Sequence, residues 1–462
     1  MSDLLTEYLY VLSVVLFALS LKFMSQVRTS RLGNLCGVVG MISASAATLL
    51  AYQVHQVELL VGAVVIGAVV GSPIGLKVAM TAVPQRTAMS HAFGSLAVAL
   101  VGAAEYYQEA ASIDPASLLI LCGEMVLGFS TFAGSCMAFA KLQGLISGRP
   151  FLFKGRSVVN TAVLVGAAGA AIYLVANPLL GQLVPIMAFL ALLFGFLLVL
   201  GIGGADMPTV IAILNSFAGL SAAALGFVLD NKLLIVAGSL DGSSGLILAL
   251  IMSQAMNRSF ANILFGGFGA VASAEQAVPV QGGRTVQSYT VEDAAVVLQS
   301  ARSIIFAPGY GMAVAQAQHA VKELADALEA RGVDVKYAIH PVAGRMPGHM
   351  NVLLAEAQVP YDQLWEMERV NPLFAETDVA VVVGANDVTN PAARTKPNSP
   401  LYGMPILDVD KAKTVIFIKR STGPGFAGVE NELFYLPNTM MVFGDAKRVL
   451  TDMVAAVRKL GA

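Results

Sequence analysis

Residues Ser303 to Gln318, SIIFAPGYGMAVAQAQ, combine side-chain types and spacing that can hold a dinucleotide phosphate. A β-branched run, Ser303-Ile304-Ile305-Phe306, ends at Ala307-Pro308, turns through Gly309-Tyr310-Gly311 and enters a helix-forming stretch at Ala313. Glycines let a backbone approach a pyrophosphate, and a helix N-terminus adds free N–H groups and partial positive charge. The third glycine of the usual fingerprint is Val314 here, so the turn takes its meaning from the α/β units around it. The competing reading is a plain glycine turn of an α/β domain.

More polar residues fall at the ends of predicted strands in the same region. The strand predicted over 333–339 is followed by His340-Pro341-Val342-Ala343-Gly344-Arg345, without the acid that bonds a ribose 2′-hydroxyl in NAD-binding domains. The strand over 378–384 runs into Gly384-Ala385-Asn386-Asp387 and then Asn390-Pro391. The strand over 413–418 leads to Lys419-Arg420-Ser421 and the glycine-rich loop Gly423-Pro424-Gly425-Phe426-Ala427-Gly428. Two adjacent cations and a hydroxyl suit a 2′-phosphate, because Arg offers a fork and Lys a point charge, and this favours NADP over NAD. The plainer alternative is a solvated cation pair. Asp387 reads either as a turn-forming residue or as a ribose or nicotinamide contact. His319, His340 and His349 read as satisfied surface or loop histidines, since no metal-ligand spacing accompanies them.

A second chemically capable set lies in strongly apolar sequence. His91 has Thr87, Gly94, Ser95 and Gly102 as small or polar neighbours at helical spacing, opposite Met89, Phe93, Leu96 and Leu100. Glu124 heads a stripe with Gly128, Thr131 and Ser135, and Asn215 one with Gly219, Ala222 and Gly226. Asp241 accompanies Ser243 and Ser244. Small residues at such spacing ordinarily let membrane helices pack closely. His91 points further, to proton transfer, because imidazole changes charge near neutral pH and an ionisable group at depth needs a partner or a water path. Glu124 is either a proton carrier or a structural acid.

The elements that must position these residues follow from composition. The 462 residues are 56% hydrophobic and 13% charged, and the mean hydropathy is +0.72, far from the soluble norm. The apolar excess is confined to residues 1–265, where hydropathy gives about nine spans, near 7–24, 34–53, 58–77, 87–107, 117–138, 159–177, 181–201, 207–228 and 233–253. The first run lacks a basic n-region and a cleavage site, so it reads as a retained span. Lys22, Arg28 and Arg31, Lys77 and Arg86, Lys141, Arg149, Lys154 and Arg156, and Arg258 occupy alternate loops, with Lys232 the one exception. Positive-inside bias then predicts an external N-terminus and a cytoplasmic C-terminal domain. Residues 266–288 have linker composition. Residues 289–462 alternate strands with helices predicted near 313–331, 350–357, 360–368 and 445–459, the pattern of a doubly wound, Rossmann-like parallel sheet. The formal charge of −2 makes nucleic acid an unexpected partner, and the three cysteines lack metal or redox spacing.

Several strings together resemble one family, the beta subunit of proton-translocating NAD(P) transhydrogenase. They are GGADMP at 203–208, LNSFAG at 214–219, MNRSF at 256–260, PGYGMAVAQAQ at 308–318, HPVAGRMPGHMNVLLAEA at 340–357, GAND with NP at 384–391, and KRS at 419–421. The resemblance implies an inner-membrane enzyme that couples hydride transfer between NADH and NADP+ to proton movement. It implies NADP(H) on this chain and NAD(H) on an alpha partner that brings the remaining membrane helices, with a dimer of alpha-beta units as the assembly. His91, Asn215 and Asp206 match its proton-path residues. Its NADP residues fall on Gly309, Tyr310, Gly311, Met312, Ala313 and Val314, on Val342, Ala343, Gly344, Arg345, Pro347 and Gly348, on Gly384, Ala385, Asn386 and Asp387, on Lys419 and Arg420, on the 425–432 loop, and on Asp445 and Ala446. Asp241 departs from the pattern, standing where an uncharged residue is expected. The rival reading is a membrane transporter or channel governed by an NADPH-sensing domain. A single dinucleotide fingerprint in the chain independently requires a partner to hold the second nucleotide.

Overall fold

The computed structural model describes residues 2–51, 56–110, 112–148, 150–151, 153–257 and 286–460. Nine of the helices among them are long and apolar enough to cross a membrane. They are α1 (Ser2–Met24), α2 (Ser30–Ala51), α3 (Val57–Lys77), α4 (Val83–Glu109), α5 (Pro115–Gln143), α6 (Arg156–Ala176), α7 (Leu183–Leu200), α8 (Met207–Val228) and α9 (Lys232–Ala255). Their boundaries follow local chemistry. Asp114 caps α5 by accepting from the Ala116 and Ser117 amides at 2.9 and 3.1 Å, with Pro115 at the first position and left-handed Gly144 at the end. Asn231 caps α9 through the Leu234 amide at 3.0 Å.

Helix α8 is the most enclosed span, packed against α4, α5 and α9. Its close approach to α9 depends on missing side chains: a Cβ at Gly226 would lie 2.7 Å from the Ile235 amide, and one at Gly245 2.6 Å from the Ser216 amide. Helix α3 has no buried residue.

The C-terminal domain contains α10 (Val291–Ser300), β1 (Ser303–Pro308), α11 (Tyr310–Val314), α12 (Gln318–Glu329), β2 (Asp334–Ile339), α13 (His349–Glu356), β3 (Leu364–Glu366), α14 (Met367–Val370), β4 (Val379–Val383), α15 (Ala392–Thr395), β5 (Thr414–Lys419), β6 (Thr439–Phe443) and α16 (Ala446–Leu460). Thr290 and Asp293 form a reciprocal capping box on α10. All six strands are parallel, in the order β3-β2-β1-β4-β5-β6. The order reverses between β1 and β4, which is where a doubly wound sheet opens a ligand crevice beyond its strand ends. The strands are buried on both faces, against α10, α12, α13 and α16 on one side and the Met367, Phe374, Leu407 and Phe434 cluster on the other.

Two sequence expectations are corrected here. The helix expected over 313–331 is two helices: Gln316 takes a left-handed conformation (φ 49°), and the Ala317 and Gln316 amides bond back to Met312 and Ala313 at 3.0 and 3.1 Å, closing α11 after one turn. The helix expected near 360–368 is a 3-10 turn, the edge strand β3 and the short α14; β3 pairs with β2 through Tyr337–Leu364, Ala338–Trp365 and Ile339–Glu366. The linker expected over 266–288 lies mainly outside the described residues. Its last residues belong to the sheet domain, since Ser288 bridges to Met441 and the Tyr289 amide donates to Met441 O at 2.9 Å.

The sheet domain rests on the membrane face where α4, α6 and α8 begin and α5, α7 and α9 end. Arg345 Nη1 donates to Leu142 O at 2.6 Å, Asn257 Nδ2 donates to Tyr402 O at 3.0 Å, and Met80 packs into the sheet-domain core. Odd spans therefore end, and even spans begin, on the side that carries the domain.

Candidate functional site

At the switch point the β1–α11 turn and the end of β4 interlock through backbone. The Gly309 amide donates to Val383 O and the Gly311 amide to Gly384 O, both at 2.9 Å. A Cβ at Gly311 would lie 2.7 Å from Gly384 Cα, and one at Gly384 (φ 65°) 2.5 Å from the Met312 amide. These glycines are explained first by the contact of one loop with the other, which brings the two strand ends together at the ligand crevice. Met312 and Ala313 are buried beneath, while Val314 is exposed.

Arg345 reaches this turn from the β2–α13 loop. Its guanidinium lies over the Tyr310 ring at 4.3 Å, and the other neighbour of that ring is Phe426, at 5.5 Å between centroids. Phe426 also faces the membrane domain, where a Cβ on Gly204 would stand 3.6 Å from its ring. In the same 342–348 loop, Ala343 is buried, Val342 packs against α7 and α8, and Gly344 and Gly348 take positive φ. Pro347 lies between those glycines.

The loop after β5 folds over the crevice and is pinned from below. Asp387 Oδ2 accepts from the Ala427 amide at 2.9 Å, while Oδ1 is buried without a partner. Burial raises the Asp387 carboxyl above the usual range, against the opposing pull of the Ala427 and Phe426 amides and Lys419. The Asn386 amide, turned to satisfy its neighbours, accepts from Lys419 Nζ at 3.2 Å and the Gly425 amide at 2.6 Å. Lys419 also donates to Gly423 O and lies 4.9 Å over the Phe434 ring; desolvation lowers its ammonium, partly countered by Asp387. Asn390 is buried and hydrogen-bonded through both side-chain atoms, giving to Glu430 O at 3.1 Å and accepting from the Ala392 amide at 3.1 Å, so it braces the loop. Ser421 accepts from the Gly423 amide at 3.4 Å, and Gly428 holds a positive φ. Arg420 is exposed beside Lys419. Asp445 caps α16 through the Lys447 and Arg448 amides, with Ala446 buried behind it.

His340 and His349, read as satisfied surface or loop histidines, are hydrogen-bonded and buried. His340 Nε2 contacts Pro405 O at 2.8 Å and its Nδ1 accepts from the Val342 amide at 3.2 Å; His349 Nδ1 accepts from the Arg345 amide at 3.0 Å. Desolvation lowers both imidazoles to about 4, with Arg345 adding to the effect at His349. Each fixes one end of the Arg345 loop. No metal-binding cluster occurs among the described residues.

In the membrane domain the polar residues divide into two layers. His91 lies beside Asn215 and Asp241, and Asn215 Nδ2 donates to Asp241 Oδ1 at 3.2 Å. Asn215 is eight residues into α8, about 12 Å from the domain-bearing face. Glu124 is fully buried a layer further on, where its Oε1 accepts from Ser221 Oγ at 3.3 Å and its Oε2 has no partner. Glu124 is therefore not gathered with His91. Ser95 and Gly102 lie on the buried face of α4, whereas Gly94 is exposed and leaves the expected stripe. Asp206 ends the 3-10 turn Gly204–Asp206 ahead of α8, at the domain-bearing face.

Lys141 and Arg156, read from sequence as loop charges, are buried caps of α7. Lys141 Nζ donates to the carbonyls of Val199, Leu200 and Ile202 at 3.1, 2.6 and 2.7 Å. Arg156 donates to Leu198 O and Gly201 O, both at 3.1 Å. Cations at a helix C-terminus meet its free carbonyls and its negative pole. The apolar stretch 183–200 running into Gly201 without a cap of its own was the available signal.

A polytopic helical bundle bearing a doubly wound domain, with its glycine crevice turned to the membrane face, defines a membrane protein with a Rossmann-like domain. The family described as NAD(P) transhydrogenase beta subunit matches residues 6–456. Two similar relatives, from Rhodospirillum rubrum and its strain ATCC 11170, are each named NAD(P) transhydrogenase subunit beta. Each is 49% identical over 464 aligned residues, covering 99% of this chain and 100% of the relative. The chain belongs to the NAD(P) transhydrogenase beta subunit family. It is thus an enzyme subunit that acts with an alpha subunit in chemistry involving NADP(H) and NAD(H), which sets aside a transporter that only senses NADPH.

Proposed function

We propose that this subunit binds NADP(H) at the β1–β4 crevice and couples hydride exchange with NADH, held on the alpha partner, to proton passage through the membrane bundle. The observation that carries the reading is the contact of Arg345, which joins the Tyr310 turn of the crevice to the end of α5. An event at the crevice that moves Arg345 is thereby felt by the helices, and the reverse.

The residues present suit the dinucleotide. Gly309, Gly311 and Gly384 let the β1–α11 turn and the end of β4 meet at the switch point, Asp387 Oδ1 is a buried acceptor without a donor, and Lys419 and Arg420 supply charge at the end of β5. NADP(H), when bound, supplies the nicotinamide that exchanges hydride with NADH. The chain orients it through the 342–348 and 425–432 loops and Asp445-Ala446, and excludes water with Tyr310 and Phe426.

Proton passage is assigned to His91 and Asn215, with Asp206 at the domain-bearing mouth and Glu124 in the deeper layer. One proton crossing 100 mV supplies about 2.3 kcal/mol, a bias of roughly fifty-fold toward NADPH. The domain layout is 1–265 for the bundle, 266–288 for the tether and 289–462 for the nucleotide domain, with Val286 already packed on the sheet domain. We place the protein in the bacterial inner membrane, N-terminus outside and nucleotide domain in the cytoplasm, as part of a dimer of alpha-beta units whose alpha chains bring further spans. Calorimetric titration of the full chain with NADPH and NADH tests the reading. It requires NADPH to bind at least tenfold more tightly; equal affinity, or preference for NADH, contradicts it.

A further inference from the structure

Resting on that reading, we infer that Asp241 is the counter-ion of His91, so that a proton in transit is held by a His91–Asn215–Asp241 set on three different helices. Asn215 Nδ2 donates to Asp241 Oδ1 at 3.2 Å and to its backbone carbonyl at 3.3 Å. With its nitrogen committed to Asp241, the amide offers the neighbouring imidazole an oxygen. Ser244 Oγ donates to the same Asp241 carbonyl at 2.8 Å and steadies that turn of α9. His91 Nδ1 is buried without a partner, which leaves one ring nitrogen to receive a proton.

The charges around the set are few. Against His91 stands Asp241, and against Asp241 stands His91. Helix α5 brings Glu124, bonded to Ser221 in the other layer, and Lys141, held by the end of α7. Helix α1, which packs on α9, brings Glu7, paired with Lys232 at 3.8 Å at the far end, and Lys22 in its last turn. Helix α8 adds no charged side chain within its span.

The proton balance is simple. Uptake forms a bond from His91 Nδ1 to the proton, and the resulting imidazolium faces the Asp241 carboxylate, so the set as a whole is neutral. Release breaks that N–H bond and returns a neutral imidazole beside the anion. An imidazolium without the carboxylate would be a lone charge among apolar helices, and its formation would need a higher proton concentration.

The test uses the complete alpha-beta enzyme in phosphatidylethanolamine/phosphatidylglycerol liposomes with a trapped pH dye. NADPH-driven proton translocation is followed from pH 5.5 to 8.5 for the wild type, Asp241→Asn and Asp241→Glu. In Asp241→Asn the pH of half-maximal translocation should move about one unit to acid, a roughly tenfold weaker hold on the proton. Asp241→Glu should restore the wild-type profile. An unshifted Asp241→Asn profile overturns the inference, whereas a wild type that moves no proton overturns the proton-conducting reading itself. Should Asp241→Asn fail to assemble, infrared pH-difference spectra of the wild type decide: imidazolium must form while the carboxylate band persists, and loss of that band in step with imidazolium formation overturns the counter-ion role.

Discussion

The Arg345 guanidinium lies 4.3 Å over the Tyr310 ring while its Nη1 donates to the carbonyl of Leu142, the next-to-last residue of α5, at 2.6 Å. One side chain thus bridges the glycine turn of the sheet domain and the membrane bundle. Replacing Arg345 with Ala removes a partly desolvated cation–π contact and a charged hydrogen bond, each on the order of 1–3 kcal/mol. The expected result is a loss of more than half the protons moved per hydride transferred in liposomes, with Tyr310→Phe much milder because its ring is kept. An unchanged ratio in Arg345→Ala would remove the bridge from the coupling mechanism.

Gly384 has φ 65°, and a Cβ there would lie 2.5 Å from the Met312 amide; Gly428 has a similar φ of 70° but open space around it. Gly384→Ala should therefore weaken NADPH binding at least tenfold and destabilise the domain by about 1–3 kcal/mol, while Gly428→Ala carries only the conformational cost, about 1 kcal/mol. Titration and urea unfolding of both variants check this. Equal effects would mean that the close approach of the two loops does not matter.

Lys141→Met leaves the carbonyls of Val199, Leu200 and Ile202 without their ammonium donor. Val199 O keeps the Ile202 amide and Leu200 O the Phe151 amide, so Ile202 O is the carbonyl left without a donor; that loss costs about 1–3 kcal/mol, and the detergent-solubilised chain should unfold a few degrees lower. An unchanged unfolding temperature would show that water or backbone rearrangement replaces the cap.

His340 and His349 are held to about 4 by burial, below the ordinary histidine range. The unfolded chain then binds more protons than the folded one between about pH 6.5 and 4, so stability is complete above that window and is lost as pH falls through it. Between pH 7.5 and 5.5 each imidazole should remove about 1 kcal/mol. The single tryptophan, Trp365, reports urea unfolding of the sheet domain. His349→Gln should flatten the slope; a slope that is the same in the variant would assign the pH dependence elsewhere.

The features legible in the sequence are those with long-range pattern. Largely apolar runs gave β1, β2, β4 and β5, and nine apolar stretches gave the spans, because burial of a whole face or a whole helix leaves a repeated signal. His91, Asn215 and Asp241 stood out because polar groups are costly in such helices. What escaped depended on single tertiary contacts. Gln316 closes α11 in a conformation that glycine usually supplies, so no glycine announced the break. β3 is three residues long, too short for any period, and exists through its pairing with β2. Lys141 and Arg156 look like loop charges until the end of α7 is laid against them. His340 and His349 carry no local sign of being buried by the loop they anchor.

Coupling between the crevice and the bundle is most directly measured with the alpha-beta enzyme in liposomes holding a pH dye, given NADPH and NAD+, for the wild type and His91→Gln. In the wild type, acidification on the side opposite the nucleotide domain, or alkalinisation on its own side, should follow hydride transfer turnover by turnover. In His91→Gln proton movement should vanish while NADPH still binds. Proton movement at the wild-type rate in that variant would contradict the account.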